Sequence, residues 1–257
     1  MNIHPTAIVH PGAVLAEDVT VGPYTIIEDK VKIGRGTKVG AHNVIKSFVE
    51  VGEDNEIYQF ASIGEVPQDY KFGGEESLLV IGDRNRIREF VTLNRGTQGG
   101  GGVTRIGNDC FILAYAHVAH DCRIGNNVLL VNGVQMGGHV HIDDHAVIGG
   151  LSALHQFIRV GTQSMVGGCS AVSQDVPPYT NVTGNRAVLH GLNLVGLKRR
   201  GFTDDDISAI KKAYRILFRS GLTFKDAKQK VLEDVAHTPE VAHLVEFIEG
   251  SERGICR

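Results

Sequence analysis

The stretch RIGNDCFILAYAHVAHDCRIGNNVLLVNGVQMGGHVHIDDHAVIGG, residues 105–150, decides the fold. Stepping by six from Ile106 lands on Ile112, Val118, Ile124, Leu130, Met136, Ile142 and Ile148. Onward, the same step meets Leu154, Val160, Val166 and Val172. Backward, it is broken by TQGGGGVT (97–104), resumes at Leu93, Ile87 and Ile81, and breaks again at GEVPQDYKFGGEES (64–77). Before that break it runs from Ile3 through Val9, Leu15, Val21, Ile27, Ile33, Val39, Ile45, Val51 and Ile57 to Ile63.

A six-residue period fits neither the 3.6-residue turn of a helix nor the two-residue alternation of a strand. It fits a solenoid of short strands and tight turns, with the sixth-position aliphatic pointing inward. Glycines flank those positions at Gly22, Gly34, Gly40, Gly52, Gly82, Gly107, Gly125, Gly149 and Gly161, where they let the backbone turn without a Cβ clash. An α/β sheet is excluded because no helical segments separate the runs. The repeat resembles the left-handed parallel β-helix of the hexapeptide-repeat acyltransferase superfamily. That resemblance implies three hexads, or roughly 18 residues, per coil and about ten coils before residue 178. It also supplies the hand, since left-handed crossovers run against the usual rule. The two breaks then read as loops near 64–80 and 96–105.

Pro177 and Pro178 close the repeat. Thr203 and the acidic run Asp204, Asp205 and Asp206 open a helix with an apolar stripe at Ile207, Ile210, Tyr214 and Leu217. Gly221 fits its C-terminus. TFKDAKQKVLEDVA and TPEVAHLVEFIEG read as two further helices. The expected fold is mainly β: a left-handed parallel β-helix over 1–185, then a small C-terminal α-helical domain over 186–257.

Composition narrows the function. The net charge of −3 gives no global pull toward nucleic acid. The N-terminus lacks the basic and apolar regions of a signal peptide, and no apolar run is long enough to span a membrane. Cys110, Cys122, Cys169 and Cys256 are scattered and read as reduced thiols, so a cytoplasmic location is expected.

With 18 residues per coil, residues 18 apart stack. His120 stacks with Gly138 and then Gln156, and Asp121 with His139. These residues converge on one edge. A histidine with a pKa near 6.5 suits general-base work. A carboxylate can orient its ring, but neighbouring strand side chains point apart, so Asp121 serves only if the turn brings it round. The Gly138 N–H is a natural oxyanion donor. Two other readings compete: ordinary polar groups at a solenoid corner, and a zinc site of His117, His120 and His139 as in β-helix proteins resembling γ-class carbonic anhydrases. The ligand spacing is not that of the carbonic anhydrases.

The motifs IGEVPQDYKF, IGDRNRIRE, NRGT, AHVAHDC, GGHV, HQF, MVGGCSAVSQDVPPY and GLKRRGF resemble those of the UDP-N-acetylglucosamine O-acyltransferase family across the whole chain. The resemblance implies transfer of an (R)-3-hydroxyacyl chain from acyl carrier protein to the 3-hydroxyl of UDP-N-acetylglucosamine, the first step of lipid A biosynthesis. It implies no metal, no other cofactor and no covalent enzyme intermediate. In its catalytic positions stand His120 as base, Asp121 as its partner and Gly138 as oxyanion donor. Substrate contacts fall on Asp69, Lys71, His117, His139, Gln156, Asn193, Arg199 and Arg200. Gly168 and Arg186 stand where acyl length is set; the family's best-known pattern has a histidine in place of Arg186, and length stays unassigned. A homotrimer with shared sites is implied. Lys198, Lys211, Lys212, Arg215 and Arg219 add a basic face suited to an acidic carrier. A 3-amino sugar nucleotide remains an alternative acceptor. The N-acyltransferase of the same pathway is expected to carry an extra N-terminal domain, whereas these repeats begin at residue 3.

Overall fold

In the computed structural model, which describes residues 2–257, the sixth-position aliphatics form the interior of a left-handed parallel β-helix. Most rungs are two residues long, such as Phe111–Ile112, His117–Val118 and Arg123–Ile124. In each the second residue is the repeat aliphatic, and from Val21 onward it is buried; Val118 has no exposed surface. The rungs stack into three sheets of eleven, nine and eight strands. Val118 pairs with Met136, and Ile124 with Ile142, confirming the 18-residue step. Across the two breaks the step lengthens: Ile63 pairs with Leu93, and Ile81 with Ile106. The extra residues leave the coil as loops while the register inside is kept.

The turns are made differently from the expectation. The left-handed backbone falls on non-glycine residues spaced by six, including Asp109, Tyr115, Asp121 and Asn127, with φ of 56°, 64°, 60° and 55°. Each such residue stores strain of about 1–3 kcal/mol, which the stacked coils must offset. The flanking glycines serve another need. A Cβ on Gly22 would lie 2.7 Å from the backbone of Gly40, and one on Gly34 2.6 Å from Gly52. They are small because the next coil passes directly over them.

Three corners result. The first, between the eleven- and nine-stranded sheets, carries stacked and mostly exposed rings: Tyr24, His42, Phe60, Phe90 and Tyr115. The second, between the nine- and eight-stranded sheets, carries His120, Asp121, Gly138, His139 and Gln156. The third returns to the eleven-stranded sheet through His145 and Gln163.

The eleven-stranded sheet ends in an antiparallel pair, Thr180–Thr183 with Val188–Leu192. Four helices follow: α1 (Leu194–Arg199), α2 (Asp204–Arg219), α3 (Phe224–Asp234) and α4 (Pro239–Glu249). The sequence pattern missed α1, which is only six residues long and contains Gly196. Thr203, Thr223 and Thr238 cap the other three. Leu197, Ile210, Leu217, Val231 and Leu244 form a separate helical core. Arg159 ties α4 to the solenoid, its guanidinium stacked 4.1 Å over Phe247 and donating to the Phe247 carbonyl. No helix among the described residues is long and apolar enough to cross a membrane.

Candidate active site

His120 follows the rung His117–Val118 and enters the second corner. Its Nδ1 lies 2.8 Å from Oδ2 of Asp121. Adjacent residues reach each other here because Asp121 takes the left-handed conformation, which swings its side chain off the strand alternation. The turn thus supplies the condition on which the partnership depended. Asp121 is buried, and its backbone N–H donates to Thr104 Oγ1 at 2.8 Å. An ionised carboxylate only accepts, so Nδ1 of His120 donates and Nε2 keeps its lone pair.

The ring of His120 lies over Gly138 in the next coil. A Cβ on Gly138 would sit 2.5 Å from Cε1 and 2.7 Å from Nε2. Gly138 is buried, and its N–H donates to no protein acceptor among the described residues. Buried N–H groups are rarely left unpaired, so this one is available to a ligand oxygen. Gln156 stacks one coil further on, against Gly137.

Two more histidines border the cleft. His139 meets His120 edge-on at 5.2 Å and stacks on Phe157 at 4.3 Å. Its Nε2 is 3.6 Å from Asp121 Oδ2. Burial holds its pKa below the ordinary histidine value, against an opposing pull from Asp121 and Asp69. His117 bonds Thr92 Oγ1 through Nδ1 at 2.7 Å, and burial lowers its pKa as well. Both rings therefore favour the neutral state. The metal reading grouped His117 with His120 and His139; the atoms that actually converge are those of His120, Asp121 and His139. Within that group Oδ2 of Asp121 is already engaged by His120 and by the hydroxyl of Thr97.

Asp69 reaches this corner from the loop that follows Ser62–Glu65, and its carboxylate accepts from the Lys71 N–H at 3.0 Å. Asn193, Arg199, Arg200 and Gly168 lie elsewhere. Asn193 donates to the Gln163 carbonyl at 2.9 Å, and Arg200 bonds the ring and carbonyl of His145 at 2.8 and 3.2 Å. Asn193 and Arg200 thus belong to the third corner, and Arg199 is exposed beside Arg200. Gly168 sits at the first corner, between Met165–Val166 and Ala171–Val172. Arg186 lines a groove with His155, Gln174 and Arg253. One chain gathers Asp69, Lys71, His117, His120, Asp121, Gly138, His139 and Gln156, has Arg186 beside His155 and Gln174 further along the same corner, and keeps Gly168, Asn193, Arg199 and Arg200 on the other two corners. Thr97, Thr104, Thr92 and Phe157 were not foreseen: Phe157 alone lies on the 18-residue step, one coil above His139.

Residues 175–256 match a family model described as UDP-N-acetylglucosamine O-acyltransferase, domain 2, and residues 104–138 match a bacterial transferase hexapeptide model of six repeats. The acyl-(acyl-carrier-protein)–UDP-N-acetylglucosamine O-acyltransferase of Janthinobacterium sp. (strain Marseille) is 51% identical over 259 residues, covering 99% of each chain. The UDP-N-acetylglucosamine O-acyltransferase of Moraxella catarrhalis RH4 superposes with a TM-score of 0.97 at 44% identity, over 100% of both chains. LpxA of Acinetobacter baumannii superposes with a TM-score of 0.95 at 44% identity, over 99% of both chains. With half its residues shared along essentially the full length of a relative, the chain belongs to the acyl-(acyl-carrier-protein)–UDP-N-acetylglucosamine O-acyltransferase family.

Proposed function

We propose that the second corner is the acyl-transfer centre, with His120 as general base. The activity is that of the family: an acyl group passes from acyl carrier protein to an oxygen of UDP-N-acetylglucosamine in lipid A biosynthesis. An O-acyltransferase requires a hydroxyl acceptor, so neither the amine acceptor nor the zinc enzyme finds support. The transferred group is read as a 3-hydroxyacyl chain and the acceptor as the sugar 3-hydroxyl.

The observation that carries the site reading is the His120 ring, oriented by Asp121 and lying over the unpaired Gly138 N–H. Nε2 takes the proton of the sugar hydroxyl as its oxygen attacks the thioester carbonyl. The oxyanion that forms accepts from Gly138 N–H. The attack forms the C–O bond; collapse of the tetrahedral intermediate restores the carbonyl and breaks the C–S bond, and the imidazolium returns its proton to the departing carrier thiolate. Asp121 stabilises the imidazolium between those steps. Positioned acid–base catalysis of this kind contributes about 10²–10⁴-fold.

The nucleotide-side candidates Asn193, Arg199 and Arg200 and the acyl-side Gly168 lie on other corners, so the full site needs neighbouring chains. Three parallel solenoids would bring one chain's second corner against another's first and third. The exposed aromatic column at the first corner supports a covering neighbour. Lys211, Lys212, Arg215 and Arg219, exposed on α2, offer the acidic carrier protein its docking face. Carrier-bound substrate and unpaired cysteines favour the cytoplasm. Subunit mixing tests the arrangement. His120→Ala and Arg200→Ala chains, each weakened alone, should regain activity when co-assembled. No recovery in confirmed mixed assemblies would mean that each chain holds a complete site.

A further inference from the structure

We propose that Thr97 is a positioning residue for acyl transfer, locking the Asp121 carboxylate onto His120; this rests on the reading of His120 as base. Thr97 N–H donates to Asp121 Oδ1 at 2.8 Å, and Thr97 Oγ1 to Asp121 Oδ2 at 2.7 Å. Both residues are buried, at 6% and 3% exposure, so water does not substitute for either bond. The hydroxyl oxygen accepts from Gly100 N–H at 3.2 Å, which leaves its single proton for the carboxylate.

The contact has a selecting role. Oδ2 of Asp121 stands 2.8 Å from Nδ1 of His120 and 3.6 Å from Nε2 of His139. A carboxylate free to rotate could serve either ring. Held at one oxygen by a backbone N–H and at the other by a hydroxyl, it faces His120. Only then is the His120 tautomer fixed with its lone pair toward the cleft.

The strap that delivers Thr97 is shaped for this contact. Residues 97–102 lie in the second break of the repeat, outside the coil. A Cβ on Gly100 would collide with the Asp121 carboxylate, so the strap lies flat on it. The next residue, Gln98, donates its N–H to Glu75 Oε1 at 3.1 Å. Glu75 closes the loop that carries Asp69 and Lys71, so the loop on the sugar-nucleotide side and the dyad share one anchor.

A purely structural threonine would affect stability alone. Thr97→Val, which keeps the shape and the backbone N–H, should lower kcat by about 10–100-fold, the range typical of groups that orient a functional side chain. KM for both substrates should stay within about twofold. Thr97→Ser should restore most of the rate. In an Asp121→Ala background, Thr97→Val should add no further loss, because the two act as a unit. Thermal unfolding of each variant separates folding from rate. An unchanged kcat in Thr97→Val overturns the proposal, as does a loss that multiplies in the Asp121→Ala background or that serine fails to rescue. If His120→Ala keeps full activity, the base reading fails first. If His120→Ala is inactive and Thr97→Val is silent, Thr97 alone is dismissed.

Discussion

The imidazole of His120 lies directly over the Cα of Gly138, closer than any side chain at that position permits. A methyl at Gly138 would meet Cε1 at 2.5 Å. Gly138→Ala should therefore displace the ring while leaving the backbone N–H in place. A misplacement of about 1 Å costs about 100-fold in rate. We expect a loss of that order in kcat, with the far-ultraviolet circular dichroism of the solenoid unchanged. Wild-type kcat in the variant would show that the ring has room to spare.

The half-buried His117 and His139 set a pH dependence of stability. Burial, the first cause in each case, lowers the pKa values of His117 and His139 below that of an unfolded histidine, about 6.5. Below that value the unfolded chain binds protons that the folded chain refuses, so stability is complete above pH ~6.5 and falls as acid carries the protein toward the folded pKa values. The urea midpoint should drop between pH 7.5 and pH 5.5. The drop should shrink in His117→Gln and His139→Gln. A midpoint that rises on acidification would contradict the assignment.

Three thiols should be inert in the native protein. Burial pushes Cys110 and Cys256 up to about 11 and Cys122 up to about 12. Cys122 follows Asp121 directly and bonds the Gly137 carbonyl. Mass spectrometry after brief alkylation at pH 8 should find these three unmodified, and modified once urea is added. Native labelling of Cys122 would mean that the second corner opens.

The start of α2 is a closed capping box: the Thr203 hydroxyl accepts from Asp206 N–H at 3.1 Å, and Asp206 accepts from Thr203 N–H at 3.0 Å. Thr203→Ala should lower unfolding stability by about 1 kcal/mol, read from the urea midpoint. Turnover should be unchanged, since the Thr203 hydroxyl bonds Asp206 and none of the candidate site residues.

Much of the architecture was legible because the solenoid repeats in sequence what it repeats in space. Ile106 to Val172 read as a column, and they are one. The same step alone places His120, Gly138 and Gln156 together. Legibility ended where the period ended. Thr97 lies in a break of the repeat, so no counting connects it to Asp121. The reach of Asp121 to its own neighbour depended on a left-handed turn that an aspartate tolerates but does not announce. The true role of the glycines is hidden, because a sequence does not reveal that a neighbouring coil crosses at 2.6–2.7 Å. The separation of Asn193, Arg200 and Gly168 from His120 was equally hidden, since motif resemblance gathers residues without saying which edge of the triangle each occupies.

We propose His120 as the base of an acyl transfer from carrier protein to UDP-N-acetylglucosamine. The direct measurement is a transfer assay offering 3-hydroxyacyl carrier proteins of several lengths to that sugar nucleotide, with wild-type protein and His120→Ala. O-acylated product is expected with at least one chain length, and a loss of about 10²–10⁴-fold in the variant. Wild-type rates in His120→Ala, or no product with any donor, would contradict it.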